Sequence, residues 1–370
     1  MNSAKMCIFT AAVFIILQIG LFFTHTQKPV VYSPDTTLKQ FARQNSIEQG
    51  KLKAELGITS GMGKKTLAGS GISKDKAEHL VAHLRGDFSG PTMVLMHLVA
   101  AAVIICALVL LTRNSMTAPW KYALLVIAVV CFGFVMGKSF NPMVNMVKVF
   151  KAAAGIEENL IGRLLMLAIF ILFSLVGTKA VCGWACPYGA LQELIYKLPF
   201  FSRVKKRVKI PFFLTNSIRA GLFILFVAAL FFGLFGMAGK GRVIYHFINP
   251  FNLFEFNFPL LSITLYIGAT LILGFLFYRP HCYLVCPFGL LSWILERASI
   301  FRIRIDPATC TQCKACVKAC PGPAMKGLYE KRMLPADCFS CGECLKACTF
   351  GALAYAAKPK KSVRLPSAKQ

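Results

Sequence analysis

Cys310-Thr311-Gln312-Cys313-Lys314-Ala315-Cys316-Val317-Lys318-Ala319-Cys320-Pro321 is answered by a second run, Cys338-Phe339-Ser340-Cys341-Gly342-Glu343-Cys344-Leu345-Lys346-Ala347-Cys348. Both runs step Cys-x2-Cys-x2-Cys-x3-Cys. Three cysteines two residues apart wrap one cubane, because a tight turn aims their thiolates inward. The fourth lies beyond reach of that cluster and ligates the other. The spacing therefore assigns Cys310, Cys313, Cys316 and Cys348 to one [4Fe–4S] cluster. Cys338, Cys341, Cys344 and Cys320 go to a second. Structural zinc also uses Cys-x2-Cys steps, but its motifs usually separate two pairs by a longer arm.

Outward from these runs the chain turns apolar. Of its 370 residues 56% are hydrophobic and only 15% charged, with a mean hydropathy of +0.61, which a soluble protein of this length rarely reaches. The formal net charge is +27. The basic residues sit in short loops beside apolar runs, as positive-inside topology requires. No nucleic-acid recognition module is visible, so no nucleic-acid partner is expected. Of the 15 cysteines none falls in the polar stretch 24–91, where a secreted disulfide scaffold would scatter them. The dense cysteines are expected on the reducing side, as metal ligands.

Six apolar segments can each span or nearly span a bilayer: 6–23, 92–111, 122–137, 160–178, 215–237 and 259–278. The first has Lys5 before it and no small-x-small pattern after it, and is read as an uncleaved anchor. Basic residues from Lys197 to Lys209 and from Arg279 to Arg304 mark two cytoplasmic stretches. Counting back through six spans puts the N-terminus inside as well. The 197–209 run is read as touching anionic lipid headgroups, with a dock for an acidic electron donor as the sharper alternative. The fold class expected is a polytopic α-helical membrane protein of about six transmembrane helices, with a C-terminal α+β dicluster ferredoxin-like domain. Residues 1–24 form the anchor and 25–91 a small helical periplasmic module. Residues 92–300 form the membrane domain, 301–357 the two-cluster domain and 358–370 a basic tail. In the outer module Ser73 can cap a helix carrying Asp75, Leu80, Val81 and Leu84, and an earlier helix begins near Leu38.

The membrane domain repeats itself. Cys182-Gly183-Trp184-Ala185-Cys186-Pro187-Tyr188-Gly189 recurs as Cys282-Tyr283-Leu284-Val285-Cys286-Pro287-Phe288-Gly289. Lys179 matches Arg279, Leu191 matches Leu291, and Asn141-Pro142 has a counterpart in Asn249-Pro250. A duplicated helix-pair unit with a pseudo-symmetric core is expected. On a helix each Cys-x3-Cys pair shares one face, and the following proline breaks or restarts the chain. Four thiols meeting between the halves suit an iron–sulfur centre or another soft metal. Cys182, Cys186, Cys282 and Cys286 are thus candidate ligands of a membrane redox or metal centre. A disulfide within each pair is the alternative, and buried packing at a helix end the plainer one. Cys7, Cys106 and Cys131 lack sequence partners and are read as apolar filler.

Residues 303–357 resemble bacterial dicluster ferredoxins, through Cys320-Pro321 and Gly351-Ala352-Leu353, with Thr349 where that family often has proline. Together with the paired Cys-x3-Cys-Pro motifs, the chain resembles the NapH/NosR family of membrane polyferredoxins over about residues 120–357. That resemblance implies electron passage between the quinone pool or a cytoplasmic donor and a periplasmic reductase. It implies membrane lipid, a quinone or quinol and a redox partner protein as associates, in the bacterial inner membrane. It leaves open a quinol dehydrogenase role, with no catalytic residues assigned. The competing reading is an electron-delivering maturation factor for a respiratory metalloenzyme. Nitrous-oxide-type members carry an outer flavin domain. Ser60-Gly61-Met62-Gly63 lacks the flavin-accepting threonine, so no covalent flavin is expected.

Gly133-x3-Gly137-Lys138-Ser139 is one residue short of a phosphate loop and begins in an apolar span. His97 has no sequence mate for haem and reads as a core histidine. His281 is placed to tune Cys282, and His246 to release a proton from a quinol. A redox-gated transporter would need buried charges within the spans, and the spans read as carrying almost none.

Overall fold

The computed structural model describes residues 3–25, 30–45, 47, 52, 55–58, 64–85, 90–136, 140–156, 160–198, 209–232, 244–256, 258, 260–330 and 337–357. The Ser60–Gly63 stretch, most of the 197–209 run, Gly137 to Ser139 and the 358–370 tail lie outside them.

Six apolar helices fall on the expected segments, in whole or in part: α1 (Ser3–His25), α4 (Gly90–Thr112), α5 (Ala118–Ile127), α7 (Leu160–Val176), α9 (Phe212–Phe231) and α10 (Leu261–Leu276). Among the described residues three stretches are long and apolar enough to cross a bilayer: Val94–Thr112, Ala118–Val135 and Phe212–Phe231. The second of these exceeds α5 because the chain continues as a π-helical stretch, Ala128–Val135. Within it Gly133 lies against Phe254, where a Cβ would come within 2.6 Å of the ring. Phe14 of α1 meets Phe173 of α7 with ring centroids 5.3 Å apart, which brings the first helix against the duplicated core.

The segment between the first two apolar helices has its own hydrophobic cluster. Leu38, Phe41 and Ala42 of α2 (Leu38–Gln44) pack with Leu67, Ile72 and, from α3 (Lys74–Arg85), Ala77 and Val81. Ser73 does cap α3, its hydroxyl accepting from Lys76 N at 3.4 Å.

The two Asn-Pro pairs fold alike. Asn141 Oδ1 accepts from Val144 N at 3.0 Å and opens α6 (Pro142–Ala153). Asn249 Oδ1 accepts from Phe251 N at 3.2 Å and opens a 3₁₀ turn, Pro250–Glu255. In each, proline takes the first helical position, where its missing N–H costs nothing.

The C-terminal domain is a small α+β unit. Strand β1 (Arg302–Ile305) pairs antiparallel with β2 (Leu353–Ala356), Arg302 opposite Ala356 and Ile305 opposite Leu353. Between them lie α13 (Ala315–Ala319), α14 (Ala324–Tyr329) and α15 (Glu343–Lys346). The strand is stitched to the end of α7. Ile300 N donates to Leu175 O at 2.7 Å, Phe301 N to Val176 O at 3.0 Å and Thr178 Oγ1 to Phe301 O at 2.9 Å. One hydrophobic core runs from Leu21 and Met96 through Trp184 and Phe288 to Phe339, Leu353 and Tyr355. The cysteine domain is therefore packed onto the membrane domain.

Candidate iron–sulfur sites

The two ferredoxin-type runs turn by the same local device. Gln312 and Lys314 flank Cys313 with φ of 59° and 57°, and Ser340 and Gly342 flank Cys341 with φ of 50° and 75°. Left-handed residues on both sides of the middle cysteine reverse the chain twice, so three successive thiols face one centre. Cys310, Cys313, Cys316 and Cys348 line one cavity, with Tyr329 and Phe350. Cys320, Cys338, Cys341 and Cys344 line another, with Tyr278, Tyr283 and Glu296. Each thus gathers the four thiols that the spacing assigns to one cluster, the fourth from the opposite run. The donor sets fit four-iron clusters. Backbone N–H groups aim at the sulfurs, from Ala315 to Cys313, from Gly322 and Met325 to Cys320 and from Ser340 to Cys338. Such bonds stabilise thiolates.

The first cavity is the outer one. Cys313 is exposed and its three partners are partly so, whereas Cys320 and Cys344 of the second are buried. The second cavity is walled by the membrane domain. Tyr283 OH donates to Asp337 O at 3.2 Å, and Glu296 Oε2 accepts from Cys338 N at 3.2 Å. The Arg279 guanidinium lies 5.0 Å from the Phe339 ring centroid.

The Cys-x3-Cys-Pro units differ from the single helical face expected. Lys179 and Arg279, both with φ of 50°, first kink the chain. Cys182 then sits in a π turn, Val181–Ala185, and Cys282 in α11 (Pro280–Leu284). Cys186 and Cys286 are extended, with ψ of 114° and 115°, and precede α8 (Pro187–Lys197) and α12 (Pro287–Leu295). Proline forbids a continuous helix, so the second cysteine leaves it.

Across the pseudo-symmetry each half reaches into the other. Cys182 Sγ lies 3.8 Å from Ser292 Oγ, and Cys282 Sγ lies 4.0 Å from Gln192 Oε1. Lys179 Nζ donates to Gly289 O at 2.8 Å. The Arg279 guanidinium donates to Cys182 O and to Gly183 O, and Arg219 Nη1 to Cys282 O at 3.1 Å. A charge on Cys182 or Cys282 is felt at both Cys186 and Cys286, so the four thiols share one region of the interior. All four are free thiols there, and burial pushes Cys182 and Cys286 up in pKa. Among the described residues no three His, Cys, Asp or Glu side chains converge on the point a single ion would occupy.

Buried charge surrounds these thiols, against the expectation that the spans carry almost none. Lys121 and Arg219 lie inside candidate spans and are buried, and both reach carboxylates of the cysteine domain. Asp337 bridges Lys179 Nζ at 2.5 Å and Arg219 Nη1 at 3.0 Å. Glu193 bridges Lys121 Nζ at 2.7 Å and Arg279 Nη2 at 2.6 Å, and accepts from Tyr278 OH at 2.5 Å. Glu343 binds Lys121 at 2.9 Å and Lys197. Burial works against these carboxylates. Lys121 and Arg279 nevertheless hold Glu193 far below the usual range, and Lys121 and Lys197 hold Glu343 at about 2. Burial pushes Glu296 up to about 8, so it is largely protonated at neutral pH. Lys121, Lys179, Arg219 and Arg279 thus face two buried carboxylates, Glu193 and Asp337, and the partly buried Glu343. Buried positive charge in excess calls for anions nearby, and cluster-bound thiolates are such anions.

The sequence flagged every one of these cysteines but missed Glu193, Asp337, Glu343, Lys121 and Arg219. One signal was present: Glu193 is the lone acidic residue between Asn159 and Phe254. His97 is buried between Phe140 and Phe170, with Nε2 2.9 Å from Met166 Sδ. His281 is buried beside Cys282, its Nδ1 2.5 Å from Tyr266 OH. His246 lies in a short helical turn, Ile244–Phe247.

Known proteins carry the same patterns. A family model described as a 4Fe-4S binding domain matches twice, over residues 159–211 and 258–306, once on each duplicated unit. A 4Fe-4S dicluster domain model matches residues 302–349. The putative electron transport protein YccM of Escherichia coli is 30% identical over 167 residues, 43% of this chain and 45% of the relative. The ferredoxin-type protein NapH of Haemophilus influenzae is 29% identical over 168 residues, 42% and 52% of the two chains. The methylamine utilization ferredoxin-type protein MauN of Methylorubrum extorquens is 31% identical over 177 residues, 44% and 57%. The matched region spans about half the length of these relatives. No solved structure matches. Duplicated 4Fe-4S units, a dicluster domain behind them and relatives of this kind support a likeness to the NapH/NosR-type family of ferredoxin-type membrane proteins.

Proposed function

We propose that the protein transfers electrons at a membrane through iron–sulfur clusters. Cys310, Cys313, Cys316 and Cys348 hold one [4Fe–4S] cluster, and Cys320, Cys338, Cys341 and Cys344 the second. Cys182, Cys186, Cys282 and Cys286 hold a further cysteine-ligated centre between the duplicated halves. Such clusters supply reversible one-electron chemistry, at potentials set by burial and by hydrogen bonds to sulfur. The pathway runs between a quinone pool or cytoplasmic donor and a periplasmic reductase, in the bacterial inner membrane. The cysteine domain and the N-terminus face the cytoplasm, and about six helices span the membrane.

One observation carries this reading: the three sulfur sets lie in order from solvent to membrane domain. Phe339, between Cys338 and Cys341, sits backbone-to-backbone on Gly183, between Cys182 and Cys186. A Cβ at Gly183 would lie 2.6 Å from Phe339 O. Lys179, Arg219, Arg279 and Lys121 hold this junction together and offset the charge of bound thiolates. The test is to mix anaerobically purified full-length protein with a quinol analogue and follow cluster reduction by EPR. Reduction supports the quinone link. Clusters that accept electrons from a chemical reductant but never from a quinol would remove it.

A further inference from the structure

We propose that the solvent face of the first quartet is a docking surface for a small, acidic, soluble one-electron carrier protein. It is received on Lys209, Lys314 and Lys318 around Cys313 and Phe350. The inference rests on the reading that Cys310, Cys313, Cys316 and Cys348 hold a redox cluster.

Of the eight ferredoxin-type cysteines Cys313 alone is exposed. Next to it Phe350, which lines the same cavity, is 56% exposed. An apolar ring beside an accessible ligand provides the dry centre that a transient redox interface needs. The rim is cationic. Lys314 lines the cavity, Lys318 acts electrostatically on Cys313, and both are exposed. Lys209, also exposed, donates to Val317 O at 3.0 Å. It thereby sits on α13, next to the residue that precedes Lys318. Lys209 thus joins the α13 lysines from 108 residues away in the sequence.

Two of the domain's four carboxylates are drawn away from this face. Residues 301–357 contain Asp306, Glu330, Asp337 and Glu343. Asp337 and Glu343 are turned inward, against Lys179, Arg219, Lys121 and Lys197. Asp306 accepts from Ala308 N within its own turn, and Glu330 lies 3.9 Å from Lys326. No acidic residue lines the first cavity. The ion pairs that fix the domain to the membrane domain thus remove the charges that would repel an acidic partner. Rim charge of this kind governs encounter rate and its salt dependence. In the exchange one electron leaves the carrier, which is oxidised by one unit, and enters the group held by the quartet, which is reduced by one. No bond forms and no proton moves.

The experiment uses the full chain in detergent, its iron–sulfur EPR signals verified, mixed by stopped flow with an acidic flavodoxin reduced to its hydroquinone. The second-order rate of flavodoxin oxidation is expected to fall steeply with salt. It should fall about tenfold in K209E/K318E and be retained in K209R/K318R. Iron content and EPR signals should stay unchanged in both. Rates indifferent to salt and to charge reversal would overturn the proposal, as would equally fast exchange with a basic carrier. Anionic lipid vesicles that bind this face and abolish the exchange would also overturn it, assigning the lysines to headgroups. Wild-type protein without iron–sulfur signals would instead remove the underlying cluster reading.

Discussion

Cys348 belongs with Cys310, Cys313 and Cys316 across the two runs, and this crossing makes a sharp prediction. Cys348→Ser should erase the EPR signal that Cys310→Ser erases, and Cys320→Ser the signal that Cys338→Ser erases. If Cys348→Ser instead removed the signal lost in Cys338→Ser, the quartets would be assigned wrongly. A second prediction concerns Asp337. Asp337→Asn leaves Lys179 and Arg219 buried with reduced compensation, which costs about 3–5 kcal/mol. Thermal unfolding in detergent should show it, while Glu330→Gln on the surface changes little. The two cysteine quartets that line the cavities were legible in the sequence because three of each four are neighbours within seven residues. The ion pairs were not. Asp337 lies 118 residues from Arg219, and Lys121 lies 222 from Glu343. No local pattern announces such a partner. Glu193 betrayed itself only by its isolation.

At the level of elements, the junction between α7, the π turn and the cysteine domain is tighter than any periodicity implies. Gly183→Ala would drive a Cβ into the Phe339 carbonyl. It should loosen the 338–344 loop, seen as faster hydrogen exchange there. Gly221→Ala on α9 meets nothing within 4 Å and should be neutral or slightly stabilising. Equal protection in both variants would mean that the domains do not touch at Gly183. The sequence predicted the breaks at Pro187 and Pro287, since proline cannot continue a helix. It did not predict the π turn. The i→i−5 bond from Cys186 N to Val181 O, 2.7 Å, is held by cross-half contacts from Arg279 to Cys182 O and Gly183 O. Those contacts are tertiary, so the i,i+4 reading of the cysteine pair lost to them.

For the whole molecule, the six apolar segments, the duplication and the terminal α+β domain were all readable from hydropathy and repeated motifs. How the parts dock was not readable, because docking rests on paired charges that hydropathy counts only as penalties. Topology remains a direct test. A green fluorescent protein fused after residue 370 should fluoresce, and alkaline phosphatase at the same place should be inactive; the reverse pattern would put the cysteine domain outside. Electron transfer by this protein depends on what the eight C-terminal thiols grip. Metal and acid-labile sulfide analysis of anaerobically prepared full-length protein measures this directly. Two cubanes predict iron and sulfide in equal amounts, about eight of each per chain, with more if the membrane cysteines hold a further centre. Zinc in place of iron, or iron without sulfide, would contradict it.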